Sequence, residues 1–244
     1  MSGGRAGAGE LQIAGLVPLS TVDWPGRLVA TVFCQGCPWD CSYCHNRAIL
    51  DPTVPGQVPL AALLDLLRRR RGLLDGVVFS GGEATRQHAL LPAAAAVRAA
   101  GFAVGLHTGG AHPARLEALL AAGLVDWVGF DVKAVPADYA ALVGRAGAAE
   151  RAGTSLALLQ ASGVPHELRT TLTPTLLPQL PELLEHLAET GARQLVLQRA
   201  RADGAAPALA AELARVPDWP EAFAAAAAAA RVRGRDLGIE VGVR

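Results

Sequence analysis

The sequence predicts an α/β protein in which a parallel sheet is covered by outer helices. Two observations carry that expectation: six short apolar or β-branched runs recur across residues 28–200, and segments with helical apolar spacing lie between them. A third agrees with it, since 51% hydrophobic and 18% charged residues over 244 positions can bury one substantial core with appendages. Strands joined through helices run parallel, which leaves a complete barrel, a partial barrel or an open doubly wound sheet.

The elements follow in order. Residues 1–9 are rich in Gly and Ala and read as disordered, whereas Leu11–Val22 suits a small added strand or hairpin. Leu28–Phe33 is the first buried strand. In "PLAALLDLLRRRRG", Pro59 opens a helix, Leu60, Leu63, Leu64 and Leu67 share a face, and Gly72 stops it. Arg68–Arg71 then fall in the last turn, where cations complement the helix dipole and face water. Further strands are expected at Val77–Phe79, Ala103–Leu106, Trp127–Phe130, Glu167–Thr171 and Gln194–Leu197, with helices at His88–Ala100, Pro113–Ala122, Ser155–Ala161 and Leu180–Thr190. The ending "EAFAAAAAAARVRGRDLGIEVGVR" reads as an alanine-rich helix, a break near Gly234 and a short strand. The expected division is a tail over 1–10, a barrel domain over 11–200, and a C-terminal helix and strand over 201–244.

Formal net charge is zero, so the overall balance selects neither nucleic acid nor an anionic membrane as the main partner. The opening residues lack the apolar core of a secretion signal, and the alanine runs are broken by Arg, Glu and Pro short of a membrane span. A cytoplasmic location is expected. There, cysteines at 34, 37, 41 and 44 suit a metal better than disulfides. Structural zinc sites usually draw ligand pairs from well-separated segments, whereas these pairs are three residues apart, as in loops that wrap an iron–sulfur cluster. Cys34 closes an apolar run and also suits a small core residue.

Cys37-x3-Cys41-x2-Cys44, with Tyr43 before the last cysteine, resembles the signature of radical S-adenosylmethionine enzymes. The resemblance implies a partial (β/α)6 barrel and one [4Fe-4S] cluster, with Cys34 a bystander. Cys37, Cys41 and Cys44 would bind three irons, and the amino and carboxylate groups of S-adenosylmethionine would hold the fourth. "FSGGEATRQ" resembles the family's Gly-Gly-Glu motif, here Gly81-Gly82-Glu83, where glycines let backbone approach a ligand and carbonyls accept from its amino group.

"GLVPLSTVDWPGRLVATVFCQGCPWDCSYCHN" is similar to the opening of activating enzymes of glycyl-radical enzymes, especially the compact activases of anaerobic ribonucleotide reductase. "VGFDVKA" and "HELRTTLTP" resemble later elements of those proteins and carry Asp131, Lys133 and Arg169 toward the cofactor. Tyr43, His45 and Thr108 join them as implied cofactor contacts. Taken as residues alone, Asp131 and Lys133 also suit an ion bridge, Arg169 in an apolar strand calls for an anion, and Asp23 suits a turn cap before Pro25. One departure stands out: His107-Thr108-Gly109-Gly110 replaces the Asp-Thr-Asn-Gly frequent in relatives. A neutral histidine is no substitute for a hard anionic oxygen, so the resemblance does not carry over the monovalent-cation site of the pyruvate formate-lyase branch.

The implied reaction sends an electron from the reduced cluster into S-adenosylmethionine, forming a 5′-deoxyadenosyl radical that takes hydrogen from a glycine of a partner enzyme. The implied partner is a glycyl-radical enzyme, with class III ribonucleotide reductase the first expectation. No cysteine lies between Asn46 and Val77, so the ferredoxin-like insert of larger activases is absent there and the electron must come from an external carrier such as flavodoxin or ferredoxin. Two other readings stay open: a radical enzyme acting on a small molecule, like the deazaguanine-forming enzymes, and a non-catalytic metal-cluster sensor.

Overall fold

The computed structural model describes residues 7–244, so part of the expected N-terminal tail lies outside the described residues. Within that tail, Ala8–Glu10 form a 3-10 turn, closed by the Gly7 amide donating to Glu10 Oε1 at 2.9 Å. Eight strands follow in one sheet, in chain order: β1 (Ile13–Ser20), β2 (Val29–Cys34), β3 (Gly76–Gly81), β4 (Ala103–Thr108), β5 (Trp127–Asp131), β6 (His166–Leu172), β7 (Gln194–Arg199) and β8 (Glu240–Val243). β1 pairs antiparallel with β2, while β2–β3, β3–β4, β6–β7 and β7–β8 are parallel. The helices are α1 (Leu60–Arg69), α2 (Leu90–Ala99), α3 (Pro113–Ala121), α4 (Pro136–Val143), α5 (Ala148–Ser162), α6 (Leu180–Glu189), α7 (Pro207–Ala214) and α8 (Trp219–Leu237). This is the expected α/β alternation.

The chain forms two compact units. Of the described residues, the first comprises 7–38, 48–129 and 151–166; the second comprises 39–47, 130–150 and 167–244. In the first, β2, β3 and β4 are buried along most of their length, which explains their largely apolar sequences. Trp24 stacks on Trp127 with centroids 5.5 Å apart and packs with Val29 and Val78. Asp23 does not cap the turn beside it. Ser20 Oγ accepts from the amides of Val22 and Asp23, while the Asp23 carboxylate accepts from Thr31 Oγ1 at 2.6 Å. The buried face of α1 includes Leu66, with Leu64 only half-buried. Arg68–Arg71 are exposed as expected, and Arg71 additionally donates to the Ala100 carbonyl at 3.0 Å.

In the second unit, α8 corrects the expected break at Gly234. The helix continues to Leu237 and ends at Gly238, whose φ of 72° forms the left-handed cap. Gly234 is small for another reason: a Cβ there would lie 2.6 Å from the Ile239 carbonyl as the chain returns into β8. α4 and α7 were not expected, and α5 begins seven residues before the predicted Ser155, running from Ala148 through Gly153. Gly153 meets nothing within 4 Å, so it interrupts the residue pattern without interrupting the helix. Among the described residues no helix is long and apolar enough to cross a membrane.

Candidate active site

Several candidate residues lie at or just beyond the C-terminal ends of parallel strands, where α/β folds place their chemistry. The first unit holds Cys37, Gly81-Gly82-Glu83 and Thr108; the second holds Cys41, Tyr43, Cys44, His45, Asp131, Lys133 and Arg169.

In the first unit the chain leaves β2 through Cys34 into a backbone-pinned loop. The Gly36 amide donates to the Ile49 carbonyl at 2.8 Å and that of Cys37 to Leu50 at 3.0 Å. Gly81 and Gly82 press on this loop. A Cβ on Gly81, whose φ is 114°, would lie 2.2 Å from the Cys34 nitrogen; one on Gly82 would lie 2.4 Å from the Gly36 carbonyl. These glycines therefore let two protein strands meet, a role that the ligand-approach reading had overlooked.

Glu83 is 3% exposed. Its Oε1 accepts from the Thr85 amide at 3.1 Å, Thr85 Oγ1 at 2.6 Å and Thr108 Oγ1 at 2.7 Å, and its Oε2 accepts from the Gly109 amide at 3.0 Å. The side chain thus ties the end of β3 to the end of β4. Thr108 shares that tie and also accepts from the Gly110 amide at 2.9 Å. Glu83→Ala should leave four buried donors without this acceptor. At about 1–3 kcal/mol for an unmet buried donor, with water recovering some, a loss of about 3 kcal/mol is expected in denaturant unfolding of the metal-free chain. An unchanged midpoint and slope would show that the tie carries no stability.

Next to this carboxylate, the fully buried Cys34 thiol is pushed up to about 12 by burial first and by Glu83 second. His107 points elsewhere: its Nε2 lies 2.7 Å from the Asp23 carbonyl, and its ring meets Trp127 edge-on.

In the second unit the cysteine loop rests on the C-terminus of α4. The Asp40 amide donates to the Val143 carbonyl at 3.0 Å and the Ser42 amide to Leu142 at 3.3 Å, satisfying two carbonyls that a helix end leaves open. Cys41 and Tyr43 are buried, Cys44 is half-buried and the His45 side chain is exposed. Arg47 closes the loop on Asp40 at 2.8 Å.

Arg169, 5% exposed, directs both Nε and Nη2 at Asp131 Oδ1, at 2.9 and 2.8 Å. Lys133 Nζ lies 3.7 Å from Asp131 Oδ2 and 5.6 Å from the centre of the Tyr43 ring. The ion bridge suggested by period two is present, and Arg169 belongs to it. Burial opposes the charge on Lys133, yet Tyr43, Cys41 and Asp131 hold its pKa well above the ordinary lysine value. Burial raises the Cys41 thiol, with Lys133 opposing.

Tyr139 was missed from sequence. Its hydroxyl accepts from the Lys133 amide at 3.4 Å, and its ring meets Trp39 edge-on. A signal was available: the chain has only two tyrosines, and both meet Lys133. Gln87 was missed as well; its amide nitrogen donates to the carbonyls of Gln12 at 2.8 Å and Gln35 at 3.0 Å.

The four cysteines form no disulfide. Among the described residues no three His, Cys, Asp or Glu side chains are grouped as ligands of a single metal ion. In sequence, three thiols within eight positions are a donor set of the kind an iron–sulfur cluster takes. Residues 31–192 match the family model of the radical SAM superfamily. The chain belongs to that superfamily.

A protein of Methanocaldococcus jannaschii named "putative glycyl-radical enzyme activating enzyme" is 36% identical over 124 residues, which is 50% of each chain. The chain thus matches about half the length of that curated relative. Among solved structures, SuiB of Streptococcus suis bound to its precursor peptide SuiA aligns with a TM-score of 0.61 at 13% identity, covering 88% of this chain and 48% of that one. QueE from Escherichia coli aligns with a TM-score of 0.52 at 17% identity, covering 96% and 93%. At these identities the two structures show a shared fold.

Proposed function

We propose that this radical SAM protein activates a glycyl-radical enzyme, with anaerobic ribonucleoside-triphosphate reductase as its partner. The observation that carries the activase part of this reading is the 36% match over 124 residues to the "putative glycyl-radical enzyme activating enzyme". The Ser20–Gly26 segment and the Cys-His-Asn ending of the cysteine loop support it.

In this proposal Cys37, Cys41 and Cys44 hold a [4Fe-4S] cluster, and S-adenosylmethionine completes its coordination. When bound, the pair supplies one-electron cleavage of a carbon–sulfur bond and the hydrogen-atom abstraction that follows. The protein's share is positioning. Glu83 and Thr108 hold the ends of β3 and β4 together, so Gly81 and Gly82 present a fixed backbone edge. Asp131 aims the Arg169 guanidinium, and Lys133, kept charged, adds a second cation suited to the cofactor carboxylate. Tyr43 contributes an apolar ring and the His45 backbone a polar edge. The setting proposed is the reducing cytoplasm, with flavodoxin or ferredoxin as electron donor.

Arg169→Ala should weaken S-adenosylmethionine binding about ten- to a hundredfold with cluster content intact, the effect of losing one charge-assisted hydrogen bond. Equilibrium binding to the anaerobically reconstituted protein measures it. Unchanged affinity would confine Arg169 to its ion pair with Asp131.

The function itself is tested by incubating the reduced protein with S-adenosylmethionine and a class III ribonucleotide reductase whose glycine is deuterated at the α-carbon. A protein-radical doublet and deuterium in 5′-deoxyadenosine are expected. Unlabelled 5′-deoxyadenosine with no protein radical would overturn this reading, and deuterium taken from a labelled small metabolite in a parallel incubation would put a small-molecule radical enzyme in its place.

A further inference from the structure

On the first unit, a cavity of about 470 Å³ opens beside the turn Ala84–Arg86 and the start of α3. Arg86, His88, His112 and Arg115 line it, and Glu10 is the one acid in its lining. Arg151 of α5 adds its positive field at His112. Among the described residues, none of these three arginines forms an ion pair with a carboxylate.

Such a concentration of like charge is costly unless something offsets it. Arg115 is partly occupied: Nη1 donates to the carbonyls of Thr85 and Arg86, and Nη2 lies 2.9 Å from His88 Nε2. No carboxylate among the described residues pairs with it, and burial with the neighbouring Arg86 holds its pKa below the usual arginine value. His112 Nε2 is buried and has no hydrogen-bond partner among the described residues. Burial, then Arg115, Arg151, Arg86 and His88, depress this imidazole to about 4. Buried polar atoms are normally satisfied, so an unmet nitrogen among unpaired cations calls for an anion.

We propose that this cavity binds a di- or triphosphate group. Guanidinium groups suit phosphate oxygens, and several unpaired cations need more than one negative charge. The volume also exceeds the needs of a single small anion, while no Phe, Tyr or Trp lines it to grip a base. Recognition therefore rests on charge, and free or substituted oligophosphates present the same chemistry. The occupant would sit immediately after Glu83, and drawing on Arg115 would stiffen the turn whose carbonyls that residue holds. Binding is independent of the reaction proposed above, so its failure would leave the activase reading untouched.

The test is titration calorimetry of the anaerobically reconstituted protein with inorganic pyrophosphate, in parallel with adenosine diphosphate and with sulfate at equal ionic strength. Pyrophosphate and adenosine diphosphate should bind alike and at least tenfold more tightly than sulfate. Arg86→Ala should weaken pyrophosphate about tenfold, the loss of one charge-assisted contact, and Arg151→Ala, which removes a charge beside the cavity rather than one lining it, by a smaller factor. Arg151 is exposed, so its variant should fold normally, and its melting curve without pyrophosphate checks this. Hydrogen exchange should slow over residues 84–89 and 111–116 when pyrophosphate is added. Binding no tighter than that of sulfate, equal binding in both variants, or protection elsewhere would each overturn the proposal.

Discussion

Replacing Cys37, Cys41 or Cys44 with Ala should empty the protein of iron and sulfide, whereas Cys34→Ala should retain about the wild-type content. The three loop cysteines are the only other thiols, so each loss removes a third of the proposed ligands. Two thiolates leave a cluster open to solvent and exchange. Cys34 differs in place and in chemistry. It is the last residue of β2, paired in register with Gly81, fully buried, and pushed up to about 12. A thiol so held remains protonated at neutral pH, and iron binds the thiolate. Removing its sulfur should cost only about 1 kcal/mol of packing. Iron and sulfide assays after anaerobic reconstitution, with absorbance near 400 nm, read both arms. Loss of iron in Cys34→Ala alone would overturn the three-ligand assignment.

Gly81→Ala should unfold the end of β3 before any ligand is involved. The φ of 114° is one that L side chains rarely adopt, and the new Cβ would meet the nitrogen and carbonyl of Cys34 at 2.2 and 2.5 Å. Both are backbone atoms in the β2–β3 pairing, so neither can swing aside. The strained conformation costs about 1–3 kcal/mol and the overlap about 1–3 more. A loss of about 4 kcal/mol is a large part of the 5–15 kcal/mol typical of a native protein. Denaturant unfolding of the metal-free chain should show it, with cluster loading reduced as a consequence. If metal-free stability is unchanged and only cofactor binding falls, the glycine serves ligand approach and the structural reading fails.

These two outcomes mark different levels of legibility. The cysteines could be read directly because metal chemistry constrains spacing within one loop. The buried strands β2 to β5 were legible because two-sided burial leaves an apolar run that no solvent face interrupts. α4 was missed although Pro136 and Gly144 mark both its ends, since eight residues hold barely two turns of periodicity. Gly234 misled because glycine weakens a helix locally, while its cause was the Ile239 carbonyl passing overhead.

By itself the sequence determined the α/β alternation, the cysteine spacing, and the positions of Gly81, Gly82, Asp131, Lys133 and Arg169 on or beside strands. Only the tertiary structure decided what those residues touch. It gave the Glu83 carboxylate to Thr85, Thr108 and Gly109, brought Tyr43 and Tyr139 to Lys133, and joined Arg169 to Asp131. It also brought Arg86 and Arg115 to one cavity although 29 residues separate them, with the charge of Arg151 felt at His112. The reason is physical. Periodicity and ligand spacing act over a few residues along the chain, whereas hydrogen-bond partners and unpaired charges are set by which strand ends and loops meet once the sheet has formed.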